Sequence, residues 1–233
     1  MIGIIAAMQK EADSIIAAMN SPREEVVGGI SFTLGKIGEC EIVLSVCGVG
    51  KVFAAMCAEA MIIKYSTSLI INTGVGGTLT NELSIGDIAI ASAVCQHDMD
   101  TTAIGDEHGL ISGINQVYFE AEKSAIQEIS AIASEMGIHT KCGIIASGDI
   151  FVAASETKQK IIDTFGAIAC EMEGGAIGHV CFVNKIPFAV IRAISDDADG
   201  GACEDYPAFA AKSAAVSAEL VCRFAQMRNK ENI

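Results

Sequence analysis

Short apolar runs alternate with segments of helical period along this chain, and glycines or acidic residues recur just past the ends of the runs. A strand buried on both faces reads as an unbroken apolar stretch, and the helices covering it read as one-sided stripes. The alternation therefore predicts an α/β fold with three layers, a central mixed sheet flanked by helices.

Taken in order, residues 2–7 form a first buried strand. From Met8 the period becomes helical, with Met8, Ala12, Ile15, Ile16 and Met19 on one face, until Ser21-Pro22. Runs 26–37 and 39–47 read as two antiparallel strands turning at Gly38. Cys47-Gly48-Val49-Gly50-Lys51 leads into a helix reaching Tyr65. A strand over 69–72 ends in a glycine turn, Thr73-Gly74-Val75-Gly76-Gly77-Thr78. A strand over 86–96 ends in His97-Asp98-Met99-Asp100 and a polar loop to Gly113. An amphipathic helix is predicted over 119–136, a strand over 139–147, a turn over 148–152, and a helix capped by Ser155 and running to Phe165. The run 165–170 reads as a strand feeding Glu171-Met172-Glu173 and then a helix. If the strand persists through Glu173, Glu171 and Glu173 share one face and Met172 takes the other. Residues 187–194 form a last strand ending in Ser195-Asp196-Asp197, and 206–227 a final helix. If these strands share one sheet, residues 8–11, Val49, 74–77, Phe151, 171–173 and Ser195-Asp196 converge at the edge where open α/β folds bind ligands.

Composition narrows the rest. The 233 residues are 51% hydrophobic with only 3 Pro and no linker-like tract, so a single domain over 1–233 is expected. A net charge of -14 excludes a nucleic-acid backbone as partner. No apolar run approaches the ~20 residues that cross a bilayer, and no basic segment precedes the first apolar run, so neither membrane nor targeting signal is expected. Nine Cys without a C-x-x-C pair, mostly inside apolar runs, read as reduced core thiols rather than a disulfide framework or a zinc site. The Gly-Lys pair at 50–51 is not a phosphate loop, because Ser45 stands where the first glycine belongs and Val52 where a magnesium-holding hydroxyl belongs. The segment after Gly77 is too short and polar for a dinucleotide crossover helix. The His97-Asp98 pair lacks metal-ligand spacing. From position alone, Glu11 is a favourable charge at a helix N-terminus, and Met8, Val49 and Tyr206 are packing residues.

In combination, Met8-x-x-Glu11, Cys47-Gly48-Val49-Gly50-Lys51, Asn72-Thr73-Gly74-Val75, Ser147-Gly148-Asp149, Glu171-Met172-Glu173 and Arg192-Ala193-Ile194-Ser195-Asp196 resemble the 5'-methylthioadenosine/S-adenosylhomocysteine nucleosidases of the nucleoside phosphorylase superfamily. Each motif is modest, but their order spans essentially the whole chain. The resemblance implies hydrolysis of the N-glycosidic bond of methylthioadenosine, S-adenosylhomocysteine and 5'-deoxyadenosine-like nucleosides. The products are adenine and a 5'-substituted ribose. It further implies no metal or organic cofactor, a cytoplasmic homodimer, and a place in methionine salvage.

Carboxylates suit that reaction. The departing purine needs a proton, the sugar becomes oxocarbenium-like, and water must add at the anomeric carbon. By the resemblance, Asp196 is the general acid at adenine N7, with a pKa that must be raised, and Glu11 activates the water. Glu173 would bind ribose hydroxyls, Met172 would pack on the ribose, and Glu171 would support this shell. Phe151 would stack on the purine, with the Val152 backbone at its edge. Ser195 would hold Asp196, Arg192 would set the strand end electrostatically, and Tyr206 would close the pocket. Met8, Val49, Val75 and Gly77 would line it. The chain departs from the family at Gly76 and Thr78. It also departs after His97, where Ile104 and Asp106, with His108 nearby, replace aromatic residues; Asp106 is expected to favour the amino group of S-adenosylhomocysteine. Alternatives are a phosphorylase or another purine nucleosidase of the superfamily, such as an aminofutalosine hydrolase, or a noncatalytic nucleoside-binding protein.

Overall fold

The protein is described by a computed structural model over residues 1–228. Its first strand, β1 (Ile2–Ala6), is buried throughout. It lies parallel to β4 (Cys40–Val46) on one side and to β5 (Leu69–Thr78) on the other. β2 (Asn20–Val27) and β3 (Ile30–Ile37) extend the β4 side as an antiparallel meander. Across β5, a parallel partner, β10 (Phe188–Asp196), runs beside it from Ile70 to Gly77. Next come β6 (Ile88–Gln96), with the two-residue β7 (Phe119–Glu120) on its far end, then β8 (Thr140–Ser147) and β9 (Ala169–Glu171). β9 returns to β5, placing Cys170 opposite Gly77 and Ala169 opposite Thr78. Strands β5, β10, β6, β8 and β9 thus close a ring, from which β1, β4, β3 and β2 project as an arm.

This closure creates a fork. β1 pairs with β5 only as far as Asn72, and β9 takes the same edge only from Gly77. Between these points the edge of β5 is open, as at a topological switch where α/β sheets bind ligands.

Helices cover both faces. α1 (Gln9–Ala18), α3 (Lys123–Glu135) and α6 (Ala202–Met227) pack over Ile4, Ile71, Ile90 and Ile191 through Ile15, Ile129, Leu220 and Phe224. α2 (Lys51–Tyr65) and α5 (Gly174–Asn184) cover the opposite face, where Met61 and Ile177 meet Ile5, Ile70 and Val190. Ile70 and Ile71 enter different cores, as the two-residue period of a strand requires. α4 (Ser155–Phe165) seals a smaller cluster around Val152, Ile161 and Phe165.

Several elements differ from the sequence expectation. The run 26–37 is broken by Gly28-Gly29, both at positive φ, which turn β2 into β3. α1 ends at Ala18, ahead of the Ser21-Pro22 expected to stop it, and β2 already begins at Asn20 and runs through Pro22, because it is an outer strand where a missing amide is tolerated. Residues 73–78 are no glycine turn: β5 runs straight through them, paired with β10. Residues 119–120 form β7, and α3 starts only at Lys123 under a cap from the Glu122 carboxylate. Ser155 is the first residue of α4, preceded by Ala154 at the cap without a side-chain bond. Phe165 ends α4, so the strand that closes on Glu171 is only three residues long, that residue included. α6 starts at Ala202 and keeps Pro207 in its second turn.

Ile71 is fully buried in β5 among Ile4, Ile191 and the α6 side chains. Ile71→Ala should lower unfolding free energy by about 2–5 kcal/mol. Urea denaturation at unchanged slope measures this, and a loss under ~1 kcal/mol would show that the surrounding core closes over the gap.

Candidate active site

At the open fork lies a cavity of ≈ 190 Å³. Its floor is acidic and buried: Glu11, Glu171, Glu173 and Asp196 are each no more than 7% exposed. Its mouth is apolar, with Val49, Ile150 and Phe151 about half exposed.

Glu11 is the third residue of α1, and its carboxylate folds back over the helix start. Oε2 accepts from the amides of Ala7 (3.0 Å) and Met8 (2.9 Å), and Oε1 from Val75 (3.1 Å) in the open edge of β5. The helix-terminus role and a place in the site are therefore one arrangement. A Cβ on Gly74 would stand 2.7 Å from Glu11 Oε1, so the strand needs glycine there to admit the acid. Asp196, at the end of β10, accepts from Ser195 Oγ (2.8 Å) and the Ala198 amide (3.0 Å). Gly77 serves it similarly, since a Cβ there would lie 2.7 Å from Asp196 Oδ1.

The Glu-Met-Glu segment straddles a change of structure. Glu171 ends β9, and Glu173 caps α5 with φ -132 and ψ -41. The strand rule for their side chains thus stops at Glu171, and all three residues line the cavity. Their carboxylates have different partners. Glu171 accepts from Ser147 Oγ, from Arg192, from the Glu173 amide (3.0 Å) and from the Gly174 amide (2.8 Å). Glu173 accepts from the Gly50 amide (2.9 Å) at the start of α2 and lies 3.6 Å from Arg192.

Of the residues expected from sequence, Met8, Glu11, Val49, Val75, Gly77, Phe151, Val152, Glu171, Met172, Glu173, Ser195, Asp196 and Tyr206 line this one cavity. Arg192 does not. It lies behind the floor, 1% exposed, bonded to Glu171, Asn72 and the Ile191 carbonyl. Phe151 meets Tyr206 edge-on at 5.5 Å across the mouth. The residues after His97 stay outside the lining: Ile104 is 80% exposed, Asp106 accepts from Thr101 Oγ1 at 2.8 Å, and His108 reaches the His97 carbonyl. Gly76, expected at this edge with the rest of 74–77, lines it as well, and Ala7, Ile150 and Cys170 complete the lining without having been expected. The supports Asn72, Ser147 and Asp149 also had no assigned part. Their one signal in the sequence is that they stand at strand ends beside motif glycines. No group of His, Cys, Asp and Glu suited to holding a metal occurs among the described residues.

Residues 1–226 match the family model described as the phosphorylase superfamily. A 5'-methylthioadenosine/S-adenosylhomocysteine nucleosidase of Staphylococcus aureus (strain JH9) is 38% identical over 222 residues, 95% of this chain and 97% of its own. The enzyme of that name from Neisseria meningitidis, solved with methylthio-immucillin-A, superposes with a TM-score of 0.94 at 32% identity, covering 97% of this chain and 98% of that one. A futalosine hydrolase of Helicobacter pylori gives 0.92 at 33% identity, covering 98% and 97%.

Burial decides the charge state of the floor. It pushes the Glu11 carboxyl above its ordinary value, against the pull of Arg192 and the three amides. Burial, reinforced by the Glu171 charge, pushes Glu173 from 4.5 up to about 7 despite Arg192 and the Gly50 amide. The folded protein therefore holds a proton on Glu173 that the unfolded chain releases. Over the interval from 4.5 to about 7 the native state binds more protons, so stability falls as pH rises. Glu173→Gln should flatten this part of the curve of Tm against pH. Parallel curves for the two proteins would remove Glu173 as the source.

Proposed function

The chain belongs to the 5'-methylthioadenosine/S-adenosylhomocysteine nucleosidase family of the phosphorylase superfamily, and on that premise we propose that it hydrolyses the N-glycosidic bond of methylthioadenosine, S-adenosylhomocysteine and related 5'-deoxyadenosine nucleosides. One observation carries the assignment of parts: Glu11, Glu173 and Asp196, brought from three distant segments, line a single cavity with room for a small ligand.

As the bond between the anomeric carbon and N9 breaks, its electron pair leaves with adenine. Asp196, held by Ser195 and Ala198, delivers a proton to N7. The sugar becomes cationic, and Glu173 beside its hydroxyls favours that charge. Water adds at the anomeric carbon and gives a proton to Glu11. The raised pKa of Glu11 makes it a stronger base than an exposed carboxylate. Three amides fix its direction, so little reorganisation is needed during reaction. Phe151 and the Val152 backbone take the purine, Met172 the ribose face, and Met8, Val49, Val75, Gly77 and Tyr206 the remaining walls.

Water rather than phosphate as nucleophile is supported by the lining itself. Among the described residues it contains no Lys or Arg, and a phosphate site needs charge-assisted donors. Arg192 is engaged behind the floor. The noncatalytic alternative is disfavoured because both the acid and the water base stand in the cavity.

We propose further that the enzyme is a cytoplasmic homodimer serving methionine salvage. α2 and α5 lie side by side and expose Val52, Phe53, Met56, Ile63, Phe182 and Val183, a face suited to a second copy. The eight cysteines with described side chains are free thiols. Among the described residues no helix is long and apolar enough to cross a membrane.

Adenine release from methylthioadenosine should proceed equally with and without phosphate; a phosphate requirement would replace the nucleosidase by a phosphorylase. Glu11→Gln and Asp196→Asn should each lower kcat by about 10²–10⁴-fold. Full turnover in either variant would strip that residue of its role. Sedimentation equilibrium should give twice the chain mass of 24.2 kDa, and a monomer at micromolar concentration would refute the dimer.

A further inference from the structure

Lys10 is an unusual cation. It sits in the first turn of α1, where the helix dipole disfavours positive charge. The chain around it is strongly acidic, with 29 Asp and Glu against 15 Lys and Arg. Yet Lys10 is in none of the ion pairs among the described residues. Instead its Nζ stands 4.7 Å over the ring of Tyr206 and 3.4 Å from the Tyr206 hydroxyl. That hydroxyl donates to Met8 Sδ at 3.1 Å, and the Tyr206 ring meets Phe151. Met8, Phe151 and Tyr206 all line the cavity. A solvated ammonium, paired with no carboxylate among the described residues, is thus held against one wall of the cavity mouth.

The direction a ligand takes follows from the reading under Proposed function, on which this inference rests. Asp196 marks the purine end with Ser195 and Ala198. Glu11 and Glu173 mark the sugar. Met8, whose amide binds Glu11, lies on the sugar side, and Tyr206 stands on Met8. The group carried by the 5' carbon therefore leads out past Met8 and Tyr206 toward Lys10. Methylthioadenosine ends there in a methyl group. S-adenosylhomocysteine continues into an amino acid bearing a carboxylate.

We propose that Lys10 is a specificity-determining residue that pairs with an anionic group at the far end of the 5' substituent. It favours nucleosides carrying a terminal carboxylate and has no part in binding those with a short alkylthio tail. Asp106, expected from sequence to meet the ammonium of the same amino acid, is instead engaged with Thr101 and Ser112. The carboxylate is then the end of that group for which a charged partner stands ready.

Three substrates separate this role from others: methylthioadenosine, S-adenosylhomocysteine, and its analogue lacking the carboxylate but keeping the amine. Lys10→Met should lower kcat/KM for S-adenosylhomocysteine about five-fold, through KM, as expected for a partly exposed ion pair. It should change the other two by less than two-fold. Lys10→Arg should restore most of the loss, and Lys10→Glu should deepen it for S-adenosylhomocysteine alone. In the wild-type enzyme, raising salt to about 0.5 M should reproduce the selective loss by screening. Equal effects on all three substrates, or none on S-adenosylhomocysteine, would overturn the assignment to Lys10. A wild-type protein releasing adenine from none of them would instead overturn the nucleosidase reading, and this inference with it.

Discussion

The site depends on one buried guanidinium. Arg192 is sealed beneath the cavity floor, paired with Glu171, 3.6 Å from Glu173 and near enough to Glu11 for its charge to act there. Removing an ion from water costs several kcal/mol, recovered only where geometry and further hydrogen bonds are good. Here the guanidinium reaches Glu171, the Asn72 side chain and a backbone carbonyl together. Glu171, in turn, takes up Ser147 and two amides of the α5 start. That network spans β5, β8, β9, β10 and α5, so one ion pair fastens the ring of strands at the edge where the chemistry would occur.

Space is the second constraint. Acids can converge above a sheet only if the sheet gives up side-chain volume beneath them. β5 does so at Gly74 under Glu11 and at Gly77 under Asp196. The fork between β1 and β9 then frees the Val75 amide, which a continuous ladder would have used, to bind Glu11. Distant loops are tied to the same frame. The start of α2 gives its Gly50 amide to Glu173 and its Lys51 amide to Asp149. The Lys51 side chain pairs with Asp98, whose other oxygen accepts from the Asp149 amide. The segment bearing Phe151 is therefore positioned by groups that never face the cavity.

Most of the layering was legible because buried strands and one-sided helices leave periodic patterns. Glu171, Glu173 and Asp196 were legible as acids just past apolar runs, whereas Glu11 by position alone reads as a favourable charge at a helix N-terminus. The part that stayed hidden is non-local. Residues 73–78 look like a turn because the volume that stabilises them as a strand belongs to Glu11, Asp196 and β10, far away in sequence. Gly28-Gly29 does not stand out as a hairpin turn because the flanking run stays β-like on both sides. The two residues of β7 carry no period of their own. Met8, Val49 and Tyr206 read as packing residues, and nothing nearby in the chain shows that they stand at a cavity mouth. Arg192 was visible as a charge inside an apolar strand, but its partners lie 21 and 120 residues away.

Glu171 and Glu173 show how the same side chain acquires two characters within three residues. The chain leaves the strand at Glu171 and enters a helix at Glu173, so the two carboxylates point into different surroundings. Glu171 receives the guanidinium, a hydroxyl and amides, and is fixed as a structural anion. Glu173 receives one amide and a more distant Arg192, and it feels the charge of Glu171 at close range. Burial first, and the Glu171 charge after it, thereby lift Glu173 into the range where a proton moves at neutral pH. In the proposed reaction, a carboxylate so poised would share a proton with the sugar hydroxyls and become more fully charged as positive charge grows on the ring. An exposed glutamate, already ionised and screened by water, has no such reserve.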